Sequence, residues 1–295
     1  MKKILSLAVS AVSAVTLLTS FSSSAAETSS YCPKLYFKAS KTDGIHPQSN
    51  KRVYINSNDI KSKSGNITFD IASYVGDSRK QLCMMIALWD STDKYIKLTD
   101  LADPQTGDNK RAYTVSPGLI SYDGDNTMSA TYSSGLSGNP FTLNGKDSDS
   151  YPFAVFKATI PTDIPIGLHP IKFYTTDAPL VTESKTMKTD FAFYDNIGNK
   201  PTQKDAEALN IAVSDRALGD IDNDNRYSAD DASMILREFT MLSSNKPSSF
   251  SEAQMIAADV DGDGYLSASD ASYVLCYFAY LAGYGTKNIY EFYGY

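Results

Sequence analysis

Two short stretches of this chain concentrate hard oxygen ligands. "GDIDNDNRYSADDAS" (219–233) carries five aspartates and two asparagines, and "ADVDGDGYLSASDAS" (258–272) repeats its pattern about 39 residues later. With Asp220 as position 1, positions 3, 5, 9 and 12 are Asp222, Asp224, Ser228 and Asp231, and position 7 offers the Arg226 carbonyl. In the second copy the same positions are Asp259, Asp261, Asp263, Ser267 and Asp270, with the Tyr265 carbonyl at position 7. Oxygen ligands at 1, 3, 5, 7, 9 and 12 are the spacing of a twelve-residue calcium loop, which turns sharply at position 6. Gly264 meets that need in the second loop. The first has Asn225, the side chain that best tolerates a left-handed backbone. Four or five carboxylates in twelve residues repel one another without a cation. A solvated acidic turn explains one such loop poorly and two in register worse still. Two calcium ions are therefore expected.

Ligands at such spacing need a rigid element to hold them, and each loop runs directly into one. After the first loop Ala232, Ile235, Leu236, Phe239 and Leu242 recur at helical spacing. After the second, Ala271, Val274, Leu275, Phe278 and Leu281 do the same, and each set reads as the core stripe of a helix. "YSADDASMILREFTML" and "LSASDASYVLCYFAYL" agree at eight of sixteen positions, so the chain contains an internal duplication of a loop–helix unit. "DAEALNIAVSDRAL", ahead of the first loop, also looks helical. The second helix adds Tyr273, Tyr277 and Tyr280 where the first has Met234, Glu238 and Met241. This aromatic stripe is either further core or a docking face, and docking is the expectation.

The paired segments resemble a dockerin, the module that joins cellulosomal components to cohesins. The resemblance spans about Gly219 to Tyr284. Asp rather than Glu at position 12, Asn225 at position 6 and a longer gap between the repeats are departures from the usual calcium loop or from the family pattern. The resemblance implies that the positions named above hold calcium. It also implies that positions 10 and 11 of each loop (Ala229 and Asp230, Ala268 and Ser269), with the adjoining helix, face a cohesin.

From about Tyr31 to Tyr194 the pattern is strands and turns. Candidate strands are 34–39, 52–55, 66–72, 82–89, 94–98, 112–115, 119–122, 128–132, 153–160, 169–175 and 190–194. Several alternate, as in Ile67, Phe69 and Ile71 or Phe153, Val155 and Lys157, and no segment there has a convincing helical period. Short strands at such spacing predict an antiparallel β-sandwich of cohesin, immunoglobulin-like or jelly-roll type. "FAVFKATIPTDIPIGLHPIKF" (153–173) resembles the late strand–turn–strand of cohesins. That resemblance implies an adaptor scaffoldin, whose dockerin meets a scaffoldin cohesin while its cohesin-like domain takes the dockerin of an enzyme or other component. A carbohydrate-binding module or a small polysaccharide-degrading enzyme are the other readings of this domain. Trp89, the single tryptophan, sits in an apolar strand and is expected in the core.

Composition sets the remaining bounds. The 295 residues carry a formal net charge of -7. From Asp205 to Tyr295 there are 15 acidic and 5 basic residues, so the acidity belongs to the C-terminal third. No basic cluster suggests nucleic acid. Both histidines, His46 and His169, precede prolines, and no nucleophile or metalloprotease motif is present, so a non-catalytic protein is expected. Lys2 and Lys3, the apolar run Ile4–Phe21 and the small residues Ser24–Ala26 form a signal peptide with cleavage after Ala26. No later run is long and apolar enough to span a bilayer, so a secreted, cellulosome-associated protein with no membrane partner is expected. The cysteines Cys32, Cys83 and Cys276 read as three buried thiols, with a Cys32–Cys83 bridge as the alternative. The expected organisation is 1–26 signal peptide, 27–194 sandwich, 195–204 linker and 205–295 helical calcium-loop module.

Overall fold

The computed structural model describes residues 34–76, 82–91, 93–102, 114–115, 118–122, 125–133, 152–173, 180–181, 186–187, 192–195 and 207–295. The expected signal peptide, Cys32 and nearly all of the expected linker lie outside these. Among the described residues no helix is long and apolar enough to cross a membrane.

The strands are β1 (Lys34–Ala39), β2 (His46–Ser49), β3 (Arg52–Asn56), β4 (Asn66–Gly76), β5 (Leu82–Ser91), β6 (Lys97–Ala102), β7 (Thr114–Val115) and β8 (Gly118–Tyr122). They continue as β9 (Asp125–Ser133), β10 (Ala154–Pro161), β11 (Gly167–Phe173), β12 (Leu180–Val181), β13 (Thr186–Met187), β14 (Ala192–Asp195) and β15 (Leu209–Ser214). One sheet runs β1-β4-β10-β6. The other runs β2-β3-β15-β11-β5-β9-β7, with β14 on β5 and β8 on β9; β12 and β13 pair separately. The inner faces share one core. Leu35, Phe37, Phe69, Ile71, Phe156 and Ile160 come from the first sheet, and Val53, Ile55, Trp89, Ile171, Phe173 and Ile211 from the second. Trp89 is fully buried, as expected, and its indole N–H donates to Ser73 Oγ at 2.8 Å. A β-sandwich is thus borne out, and most expected strands fall on observed ones.

Four expectations are corrected. The inward parity of β10 is Ala154, Phe156, Ala158 and Ile160, so Val155 and Lys157 lie on the other face. A short helix, α1 (Ser57–Lys61), interrupts the β region, capped by the Asn56 side chain on the Asn58 N–H. The "DAEALNIAVSDRAL" segment is not helical where described: Leu209–Ser214 is β15. It pairs antiparallel with β11 and parallel with β3, so the sandwich is not purely antiparallel.

Four helices complete the chain: α2 (Ala229–Ser243), α3 (Glu252–Ala258), α4 (Ala268–Ala282) and α5 (Ile289–Tyr293). Their core joins Ile235, Ile256, Val274 and Tyr277 to Tyr54 and Ala212 of the second sheet. The helical module therefore covers the outer face of that sheet at β3 and β15, and β15 is buried on both sides.

Candidate calcium loops and docking face

Each acidic loop is fixed to the start of a long helix by a capping box. In α2 the Ser228 side chain accepts from the Asp230 N–H while Asp231 reaches back to the Ser228 N–H; in α4 Ser267 and Asp270 do the same. The two loops have nearly identical internal bonding. Asp220 Oδ2 accepts the Asn225 N–H at 3.0 Å, and Asp259 Oδ2 accepts the Gly264 N–H at 3.1 Å. Asp222 Oδ1 accepts from the Asp224 N–H and Asp224 Oδ1 from the Arg226 N–H. Asp261 and Asp263 serve the N–H groups of Asp263 and Tyr265 in the same way.

Asn225 has φ 63° and Gly264 φ 91°, the left-handed turn expected at position 6. Position 4 requires it too, at Asn223 (φ 63°) and Gly262 (φ 68°), a need the sequence reading missed. The shared asparagine/glycine choice at both positions was its available signal.

The structure brings together carboxylate oxygens of Asp220, Asp222 and Asp224, all within 4.8 Å of one another, and equally those of Asp259, Asp261 and Asp263. Asp231 and Asp270 stand outside these groups. Their oxygens take the Ile221 and Ser228 N–H groups in the first loop and those of Val260 and Ser267 in the second. Burial raises the carboxyls of Asp220, Asp231 and Asp270 above their ordinary value, and neighbouring aspartates add to the effect. The decisive test of fit lies at position 1. Asp220 Oδ1 and Asp259 Oδ1 are buried with no hydrogen-bond partner. An orphaned buried charge-bearing oxygen is strongly unfavourable, and a hard cation at the adjacent carboxylate cluster is the partner it fits.

Of the three tyrosines expected on the docking face, burial contradicts Tyr277. Tyr277 is 3% exposed. Its hydroxyl donates to the Lys287 carbonyl at 3.0 Å, and its ring meets Tyr227 and Phe292. Tyr280 Oη accepts from the N–H groups of Thr286 and Lys287, and Tyr273 stacks obliquely on Tyr293. The stripe packs against the C-terminal turn and α5, with Tyr277 buried and Tyr273 and Tyr280 half-buried. The expected core stripe is shifted as well. The buried residues are Asp231, Ala232, Ile235 and Glu238 on α2 and Asp270, Ala271, Val274 and Tyr277 on α4. Leu236 (41%), Leu275 (40%) and Phe278 (40%) are exposed instead. Leu236 and Leu275 occupy equivalent positions of the duplicated helices. Ala229, Asp230, Ala268 and Ser269 are exposed at the helix starts. Cys276 is an exposed free thiol, against the expectation of burial.

The module does not stand apart from the sandwich. Arg52 of β3 is ion-paired to Asp259, position 1 of the second loop, with both side chains 6% exposed. Gln48 Nε2 donates to the carbonyls of Asp259 and Val260, and Ser49 Oγ to that of Gly262 at 2.7 Å. A Cβ on Gly262 would lie 2.6 Å from Gln48 Cβ, so this close approach requires glycine.

No curated protein matches the chain. Solved structures similar to it include the type I cohesin–dockerin complex of Clostridium thermocellum (12% identity, TM-score 0.39, covering 62% of this chain and 99% of that one). The seventh ScaB type I cohesin of Pseudobacteroides cellulosolvens is similar at 12% identity and TM-score 0.35, covering 63% and 95%. The cohesin module of a Clostridium perfringens family 33 glycoside hydrolase is similar at 12% and 0.33, covering 61% and 98%. Residues 218–278 match the family profile described as the dockerin type I domain, and the chain carries such a domain at its C-terminal end.

Proposed function

We propose that this protein is a non-catalytic, secreted adaptor whose dockerin, loaded with two calcium ions, docks onto a scaffoldin cohesin while its sandwich takes the dockerin of another component. A protein-interaction role follows from the dockerin match itself. The observation that carries the docking half is the exposure of Leu236 and Leu275 at equivalent positions of two duplicated helices, with Phe278 beside the latter. Exposed apolar side chains in register, next to short exposed residues at the helix starts, suit a protein partner.

In the first loop Asp220, Asp222 and Asp224, with the Arg226 carbonyl, would hold one ion, and in the second Asp259, Asp261 and Asp263, with the Tyr265 carbonyl, the other. Ser228, Asp231, Ser267 and Asp270 complete the proposed sets. When bound, the ion supplies positive charge that relieves the repulsion among these carboxylates. The chain's own contribution is to fix the loop backbone and to join it to α2 or α4 through the capping box.

The adaptor half rests on the 153–173 segment, which forms β10, a turn and β11. Ile166 in the turn and Leu168 on β11 are exposed apolar side chains of that segment, which suits a protein partner. The domain limits proposed are a sandwich running through β15 to about Ser214 and a module from about Asp215.

The test is calcium-dependent capture of the full chain on a panel of cohesins, with Leu236→Asp and Leu275→Asp as variants. Capture in calcium, its loss in EDTA and weakening by about tenfold or more per variant, as expected for an interface anchor, support the proposal. Calcium-independent capture, or variants without effect, count against it. A parallel panel of immobilised dockerins and insoluble polysaccharides tests the sandwich. Retention on a polysaccharide with no dockerin bound would overturn the adaptor reading.

A further inference from the structure

The two acidic loops are alike inside and unlike outside. In the first, Asp222 and Asp224 are open to solvent, and Asp220 has no cationic partner among the described residues. In the second, a guanidinium from a different domain reaches the position-1 carboxylate. Arg52 cannot easily withdraw. It is the first residue of β3, registered against Ser49 of β2 and Asn210 of β15. Its side chain is buried, and Nη2 donates to the Ile256 carbonyl at 2.5 Å, in the last turn of the helix that leads into the loop. Burial lowers its pKa to about 10, which leaves it charged at neutral pH, and Asp261, Asp263 and Asp270 all act on it from the same loop. The guanidinium meets Asp259 through Oδ2, while Oδ1 is the buried oxygen without a partner.

We propose that Arg52 is a tethered counter-cation of the second loop, holding that loop folded on the sandwich when calcium is absent and opposing calcium electrostatically when it is present. The proposal rests on the reading of both loops as calcium sites. Its logic is charge accounting. A fixed positive charge offsets part of the carboxylate repulsion that a free cation would otherwise relieve. The two cations share one set of negative charges, so their stabilisations are less than additive. In the first loop the nearest guanidinium, Arg216, donates to the Ile221 carbonyl at 2.9 Å and, among the described residues, is paired with no loop carboxylate, so that loop depends more on the ion. Calcium removal should therefore open the first repeat and leave the second docked.

The experiment uses the full chain and the variants Arg52→Gln and Arg52→Lys, with calcium as the probe. Calcium titration calorimetry, melting in calcium and in EDTA, and amide hydrogen exchange across 219–233 and 258–272 are measured together. In the wild type, two calcium ions bind, and exchange in EDTA is fast in the first loop and slow in the second. In Arg52→Gln the second loop exchanges as fast as the first in EDTA, the calcium-induced rise in melting temperature grows, and the second site tightens by about tenfold. Arg52→Lys restores the wild-type pattern. If Arg52→Gln loses as much stability in calcium as in EDTA, or binds calcium more weakly, Arg52 merely orients the carboxylate and the proposal is overturned. A wild type that binds no calcium overturns the calcium reading itself. A wild type that binds two ions with both loops exchanging equally in EDTA overturns only the role of Arg52.

Discussion

The two loop–helix repeats began as copies and still share their hydrogen bonds, yet they have solved the same packing problem differently. Position 238 on α2 and position 277 on α4 are equivalent and both buried. On α2 the slot holds Glu238, whose carboxylate accepts the Ser249 N–H at 2.9 Å and the Ser249 hydroxyl, pinning the turn after the helix. On α4 it holds Tyr277, which serves the same purpose for the turn at Lys287 and adds an aromatic cluster. The first loop faces water, and the second faces the sandwich. The difference teaches that the ligand pattern is constrained by chemistry, whereas everything around it is free to become an interface.

Breaking the comparison at position 1 has the largest expected effect. In EDTA, Asp259→Ala leaves Arg52 buried and unpaired and should cost about 3–5 kcal/mol. Asp220→Ala removes only the acceptor for the Asn225 N–H and should cost about 1 kcal/mol. Equal losses by chemical denaturation would show that the two loops are equivalent after all. Calcium itself should contribute about 2.7 kcal/mol per site at 100 times the dissociation constant, read as a shift in the denaturation midpoint on adding EDTA.

Acid should act on the contact between sandwich and module through His46. His46 of β2 stacks on Tyr290 of the module at 3.6 Å, and its Nδ1 is buried without a partner. Burial first, then Lys41 and Lys63, lower its pKa from 6.5 to about 4, with Asp43 opposing. The folded state thus binds fewer protons than the unfolded one. The stabilisation is complete above pH 6.5 and is lost as pH falls toward 4. Between pH 7.5 and 5.5 the wild type should lose about 1 kcal/mol that His46→Phe retains. Smallest of all should be the contrast between Ser228→Ala and Ser267→Ala. Their capping boxes match, so each should cost about 1 kcal/mol. A large difference between them would mean that the sandwich reaches further into the second repeat than its contacts imply.

The acidic loops were legible because their constraint is local: carboxylate spacing, turn residue and capping serine all lie within twelve residues. The exposed face of the two long helices was not, because both are apolar on two sides. Periodicity cannot choose between Leu275 and Tyr277 when the cover, α5 and the turn before it, comes from further along the chain. The strand β15 was misread for a related reason. "LNIAVS" is packed between two cores, Ile211 and Val213 facing one and Ala212 the other, so it shows no alternation of apolar with polar. Arg52 and Asp259, far apart in sequence, carried no signal of their pairing.

The placement of β15 also fixes how the protein transmits orientation. Its last residue, Ser214, is six positions from Asp220, and the side chain of Ser214 already donates to the Ala253 carbonyl of α3. Tyr54 and Asn58 of the sandwich hold the carbonyls of Arg216 and Asp215 in between. The step from strand to acidic loop therefore has no slack. On the proposed adaptor reading, a partner of the helices would be set at one angle to a partner of the sandwich. Two cargoes joined through this chain would move as one lever, without the swing that a tether allows.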